Sequence, residues 1–375
     1  MTMRRIWNVY RLGIKELRSL GHDTILLVLI VWAFTGAIYA ISTAASQELH
    51  NAPIAFVDED QSNLSARMIS AFYGPYFKKP VMISENQIDP GLDAGIYTFV
   101  VNIPPDFERD VVAGRSPDIQ VNIDATRMSQ AFIGAGYIQN IINGEISGFL
   151  QGFRKDATLP VSLNTHVKFN PNLSSAWFSS IMEIINNITM LSIMLTGAAL
   201  IREREHGTLE HLMVMPLNAA EIILAKIWSM GLVVLVAAWL SLQFMVKGVL
   251  HVPVQGSIAL FMCGVFLHLL ATTSIGVFMG TVARNMPQLG LLMILTVLPL
   301  QMLSGGVTPR ESMPIVVQSL MQAAPTTHFV SMAQAILYRG AGFEVVWPSF
   351  AAVFVIAVVF FTLSLALFRR SLASA

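Results

Sequence analysis

"MEIINNITMLSIMLTGAALIREREHGTLEHLMVMPL", residues 182–217, joins two materials. Its first part, 182–201, is a nearly unbroken apolar run. A bilayer's hydrocarbon core is about 30 Å thick, and about twenty helical residues at roughly 1.5 Å each cross it. Arg202, Glu203, Arg204, Glu205, His206, Glu210 and His211 then arrive together, before Pro216 and a further apolar run. The pattern predicts a membrane-spanning helix, a short charged link, and a second span.

The rest of the chain repeats that alternation. Of its 375 residues 54% are hydrophobic and only 12% charged, with a mean hydropathy of +0.61 and no net charge. A water-soluble domain of this size needs far more charge to cover its surface. Six apolar runs are each about as long as a span requires: 24–46, 182–201, 227–246, 258–283, 287–304 and 345–368. Thr43 and Ala45 after the first run resemble a signal-cleavage site. That run is about twice a usual signal core and a long basic helix precedes it, so it reads as a retained anchor. With the N-terminus inside, the cytoplasmic flanks hold 11 Lys and Arg residues, and the short outer flanks only Lys247, Arg310 and Arg339. That bias predicts that both termini and the charged link are cytoplasmic.

Residues 47–177 then fall outside. They carry 14 acidic against 9 basic residues and hold strand-like runs at 54–60, 97–103 and 118–124, with helix-like stretches at 62–73 and 127–150. About 130 residues suffice for a separate core, so an α/β domain is expected. Cys263, the single cysteine, falls in a span, which leaves the outer domain without a disulfide. The expected fold is therefore an α-helical polytopic membrane protein with six transmembrane helices and a periplasmic α/β domain between spans one and two. Residues 1–22 form a cytoplasmic interfacial helix, 24–46 the first span, 47–177 the periplasmic domain, and 178–375 spans two to six.

The N-terminal helix is amphipathic. At 100° per residue, Arg4, Arg11, Lys15 and Arg18 share an arc of about 60°, opposite Ile6, Val9, Tyr10, Gly13, Leu17 and Leu20. Such a helix lies along the inner leaflet with its basic edge toward anionic lipid head groups. A positive flank that only orients the first span is compatible with the same residues. The charged link reads as a helix over 203–215 that gathers Thr208, Leu209, Leu212 and Met213 on one face and is stopped by Pro216. Glu203, Arg204, Glu205 and Glu210 are left to water or to a partner, so the link is either a lever that another protein grips or an ordinary solvated loop.

Catalytic signatures are missing. No Gly-Lys pair occurs, so no phosphate-cradling loop is present, and there is no Gly-x-Ser-x-Gly elbow. His206 and His211 lie five apart and miss a zinc-binding helical face. Asp58, Glu59 and Asp60 read as an acidic turn after a strand rather than a cation site, and no catalytic, metal or cofactor residue is assigned. Ionisable groups within apolar runs are candidates for function, because their burial is costly. His268 in the fourth run and Glu183 near the outer end of the second are the two such residues singled out. Beyond the fifth run, 304–344 holds Gly305 and Gly306 and two apolar stretches too short to span, 314–323 and 327–338, parted by Pro325. Both Thr308-Pro309-Arg310-Glu311 and Met313-Pro314 have the form of a helix start, and Gly340 of a stop.

"REREHGTLEHLMVMPL" resembles the cytoplasmic loop of ABC-2 type exporter permeases, a Glu-x-x-Gly-Thr-x-Glu-x-Leu pattern ending in proline. The matching residues are Glu205, Gly207, Thr208, Glu210, Leu212 and Pro216, although Glu205 stands two residues before the glycine rather than three. Six spans, a basic N-terminal helix, a large outer domain and the "LSGGVTPRESMP" segment extend the resemblance over essentially the whole chain. The resemblance implies that the loop helix, with Glu203, docks on a separate ABC ATPase subunit. It also implies that 304–344 re-enters the outer leaflet and lines an exit. A second permease subunit, identical or paralogous, and a periplasmic adaptor are the further partners implied, in a bacterial inner membrane and without nucleic acid. The implied activity is export of a hydrophobic or amphipathic substrate. The alternative is an ATP-driven mechanical transmitter acting on a periplasmic partner without transport.

Overall fold

The computed structural model describes residues 2–44, 49, 51–124, 128–153, 175–207, 217–308 and 310–373. The chain divides into two compact units, one of residues 1–44 with 176–375 and one of 45–175.

The first unit starts with α1 (Thr2–His22), followed by α2 (Thr24–Phe34) and α3 (Gly36–Ala44). Asp23 caps α2 by accepting from Leu26 N at 3.1 Å. The first predicted span is thus not one helix: it breaks at Thr35. A helix end leaves four carbonyls without intrahelical donors, and all four here are satisfied. Thr35 supplies its hydroxyl to Val31 O (2.5 Å) and its amide to Trp32 O (3.3 Å). Asn187 Nδ2 donates to Ala33 O (2.7 Å) and Ser241 Oγ to Phe34 O (2.6 Å). The break is built into the packing.

The second unit holds a four-stranded sheet of order β2-β1-β3-β4. Its strands are β1 (Ile54–Asp58), β2 (Val81–Met82), β3 (Phe99–Ile103) and β4 (Gln120–Ile123). β1 pairs in parallel with β2 and β3, and β4 closes the other edge antiparallel to β3. Around it lie α4 (Asn63–Ser70), α5 (Ile88–Asp93), α6 (Phe107–Val112) and α7 (Met128–Phe153). Alternation along β1 buries both faces. Ile54 and Phe56 join Leu64, Met68, Phe99, Ile138 and Ile142 on one side, while Ala55 and Val57 meet Val100, Ile88 and Leu92 on the other. The acidic turn closes on itself: Asp58 accepts from Gln61 N and Ser65 Oγ (both 2.9 Å), and Asp60 from Glu108 N at 3.1 Å.

The chain returns to the first unit with α8 (Ser175–Glu205) and α9 (Ala219–Ser241), which runs on into a π-helical turn, Leu242–Val249. Then come α10 (Ile258–Val282), α11 (Met286–Met302), α12 (Ile315–Met321), α13 (Pro325–Leu337) and α14 (Phe343–Ala373). Among the described residues five helical stretches are long and apolar enough to cross a membrane: Thr24–Thr43, Ala176–Glu205, Ala219–Val249, Ile258–Val282 and Phe343–Leu372. The chain is a mostly helical membrane protein. The expected fifth span, 287–304, is the single helix α11, 17 residues and about 25 Å long with Pro299 inside it, shorter than those five stretches. The two short apolar stretches of 304–344 appear as α12, starting after Pro314, and α13, with Pro325 in its first turn and Gly340 following at φ +68°.

Candidate functional site

Among the described residues of the first unit, ion pairs concentrate at the end of α8. The expectation of a separate helix from 203 is corrected here: Arg202, Glu203, Arg204 and Glu205 form the last turn of α8, and Gly207, at φ +67°, ends it. Thr208, Glu210, His211, Leu212 and Pro216 lie outside the described residues.

Each charge in that turn has a partner remote in sequence. Arg202 donates to Asp23 at 2.5 Å. Arg204 donates to the carbonyls of Ala283 (2.6 Å) and Thr281 (3.4 Å), a cation placed on the C-terminal end of α10 where the helix dipole is negative. Glu205 accepts from Met286 N (3.1 Å) at the start of α11. The side chain of Glu205 is nonetheless exposed, and so is Gly207.

Glu203 is not left to water or to a partner, as the pattern of the link suggested. It is 8% exposed and stands in a cluster of two cations and two carboxylates. Lys226 Nζ, from α9, lies 2.8 Å from Glu203 Oε2 and 3.1 Å from Glu16 Oε1. Lys15 Nζ, from α1, lies 2.9 Å from Glu203 Oε1 and 3.9 Å from Glu16. Lys226 is 1% exposed and Glu16 7%. Burial pushes the Glu16 carboxyl above its ordinary range, with Lys226 pulling the other way. Burial works to lower Lys15, but the Glu203 carboxylate overrides it and the ammonium ends above its usual value. Lys15 therefore turns from the basic edge toward the protein. A buried network of this kind adds little net stability over an apolar one, yet losing one member strands the others. It therefore fixes how α1, α8 and α9 meet.

Residues on both sides of that cluster reinforce the geometry. Glu221, in the first turn of α9, accepts from Asn218 N (3.3 Å) and Asn8 Nδ2 (3.4 Å). Gly13 leaves room for the Trp228 ring against α1, where a Cβ would collide with it, and Trp228 Nε1 donates to Val9 O at 3.1 Å. Sequence reasoning missed Glu16 and Lys226. The available signal was a lysine four residues into an otherwise apolar stretch.

His268 is fully buried. Thr189 Oγ1 donates to Ile185 O (3.1 Å) and so accepts from His268 Nε2 at 2.9 Å, which assigns the Nε2–H tautomer and leaves Nδ1 a lone pair without a partner. The ring stacks on Phe329 of α13 with centroids 4.1 Å apart and planes 7° from parallel. His268 thereby ties α8, α10 and α13 together. Glu183 is half-buried at the other end of α8 from the ionic cluster, next to Met182, whose methyl a Cβ on Gly306 would strike. Gly305 adopts φ +94°, a left-handed conformation suited to glycine. An apolar cleft of about 340 Å³ lies between α10, α11 and α14 and the α12–α13 turn, with Met279, Thr296, Ala324 and Phe360 in its walls.

A model of the ABC-2 family transporter protein matches residues 23–366. The chain is 63% identical over 370 residues, 99% of each sequence, to the inner membrane transport permease YhhJ of Escherichia coli (strain K12). It is 28% identical over 369 residues, 98% of each, to the probable multidrug ABC transporter permease YbhR of the same organism. To the probable multidrug ABC transporter permease YbhS it is 26% identical over 273 residues, 71% of each.

Proposed function

Because the chain belongs to the ABC-2 family of transporter proteins, we propose that it is the membrane-spanning subunit of an ATP-driven exporter. A separate ABC ATPase subunit binds and hydrolyses ATP on the cytoplasmic side. The 208–216 link, with Glu205, Gly207, Thr208, Glu210, Leu212 and Pro216, is the surface that this ATPase grips. Two permease subunits face each other, α11 and the α12–α13 hairpin complete the sixth crossing and the exit, and the sheet-bearing unit lies on the periplasmic side, where an adaptor meets it. The substrate is hydrophobic or amphipathic, in keeping with the apolar cleft beside the α12–α13 turn.

The observation that carries this reading is the anchoring of both ends of the link. On one side Glu203 is locked to α1 and α9, and Arg204 and Glu205 hold the α10–α11 turn; on the other Glu221 caps α9 against α1. A push on the link is passed to four helices at once. A charge-assisted contact from Glu210 to the ATPase would contribute about 1.5–3 kcal/mol. Glu210→Lys is expected to preserve expression and membrane insertion, to lower ATPase copurification about tenfold or more, and to abolish export. Full ATPase binding with full export would show the link to be an ordinary charged loop.

A further inference from the structure

We propose that the surface where α9, α10 and α14 meet, beside α1, holds a two-chain phospholipid with a net-negative head group. Two apolar grooves of about 230 Å³ and 190 Å³ share Leu224, Ile227 and Leu270 as a common wall. Trp228, Leu232 and Phe266 complete the first, and Phe354, Val358 and Phe361 the second. Paired grooves of similar size on one ridge match two acyl chains leaving a single glycerol. Leu224, on that ridge, is 41% exposed, so the grooves open outward rather than into the core.

The head-group end follows from the ring contacts. Trp228 stacks on Tyr10 with centroids 6.1 Å apart, Tyr10 on Trp7 at 5.7 Å, and the Arg11 guanidinium lies 5.0 Å over Trp7. A continuous aromatic path therefore leads from the first groove to an arginine. On the second groove's side, α14 carries exposed Arg369 and Arg370 eight residues beyond Phe361, about 12 Å farther along the helix. Aromatic rings and arginines together are typical of the interfacial zone of a bilayer, and the guanidinium fork suits phosphate oxygens. Met3, Ile6, Trp7 and Tyr10, at spacings of three and four on α1, are all at least half exposed and form an apolar stripe that includes the two stacked rings.

Charge selects the head group. Arg4, Arg11, Arg369 and Arg370 are exposed, whereas Glu16 on α1 and Glu221 at the start of α9 are only 7% and 5% exposed and already hold partners. A zwitterionic head brings a cation of its own to this basic rim; a phosphatidylglycerol-like head does not.

The test reconstitutes the full chain in nanodiscs of equal phosphatidylglycerol and phosphatidylcholine and counts retained lipids by native mass spectrometry. Wild-type protein is expected to keep phosphatidylglycerol in preference. Combined Arg11→Gln, Arg369→Gln and Arg370→Gln should lower that retention by about fivefold per arginine while leaving phosphatidylcholine unchanged. Leu224→Trp, which fills the common wall, should lower retention of both lipids. Equal retention of the two lipids by wild-type protein would overturn the proposal. Retention indifferent to the three exposed arginines would do the same, and that variant decides even where Leu224→Trp fails to fold.

Discussion

Lys226→Met tests the ionic cluster most directly. Lys226 is 1% exposed and is the cation nearest to both buried carboxylates, at 2.8 Å from Glu203 and 3.1 Å from Glu16. After the substitution Lys15 still serves Glu203 at 2.9 Å, but its 3.9 Å separation from Glu16 leaves that carboxylate with no close cation. Removing one member of a buried ionic group costs about 3–5 kcal/mol, chiefly through the charge left behind. The expected loss is thus between about two and three and a half orders of magnitude in the folding equilibrium. Lys226→Met combined with Glu16→Gln removes one charge of each sign and keeps the Lys15–Glu203 pair, so it should recover to within about 1 kcal/mol of wild type. Reversible unfolding of the purified chain in mixed micelles measures all three proteins. The reasoning fails if Lys226→Met stays within about 0.5 kcal/mol of wild type, the range of an ordinary surface change. It fails equally if the double variant is no better than the single one.

Three further outcomes are expected. Because the Glu16 pKa is raised in the folded chain, folding favours its protonated form; that stabilisation is complete below the ordinary value of 4.5 and is lost as pH rises through the folded value. Wild-type stability measured against Glu16→Gln should therefore decline across that window, and a rise would contradict the assignment. Gly306→Val, forced against Met182 and Val330, should cost about 1–3 kcal/mol and impair transport while ATPase copurification stays normal; loss of assembly instead would make the segment purely structural. Asn187→Leu leaves the Ala33 carbonyl buried without its donor, at a cost of about 1–3 kcal/mol in the same unfolding assay, and an unchanged midpoint would mean that water replaces the amide.

The strands at 54–58, 99–103 and 120–123 were legible because short apolar runs with β-branched residues sit between turn signals. The long apolar helices were legible from hydropathy alone, as was the Pro325 break between α12 and α13. What escaped depends on pairings remote in sequence. Nothing local marks Glu203 as buried, since its partners come from residues 15 and 226, and the end of α8 moved outward to Glu205 for the same reason. The break at Thr35 had only Gly36 as a hint, and its stabilising groups, Asn187 and Ser241, come from other helices. The fifth apolar run has the composition of a span, yet its helix, continuous through Pro299, stops at 17 residues. Of the candidate site, the charges themselves were readable and their inward direction was not.

The bend at Thr35 is held by one donor from α8 and one from α9, the two helices that flank the 208–216 link. Adjacent carbonyls, Ala33 and Phe34, are thereby referred to two separate bodies. If α8 and α9 shift together, the bend travels with them unchanged. If one slides past the other, the two bonds can be kept only by turning the peptide planes between them, and the angle of the first span changes. That span therefore reads the difference between the two helices and is blind to their common motion, as a differential gauge is.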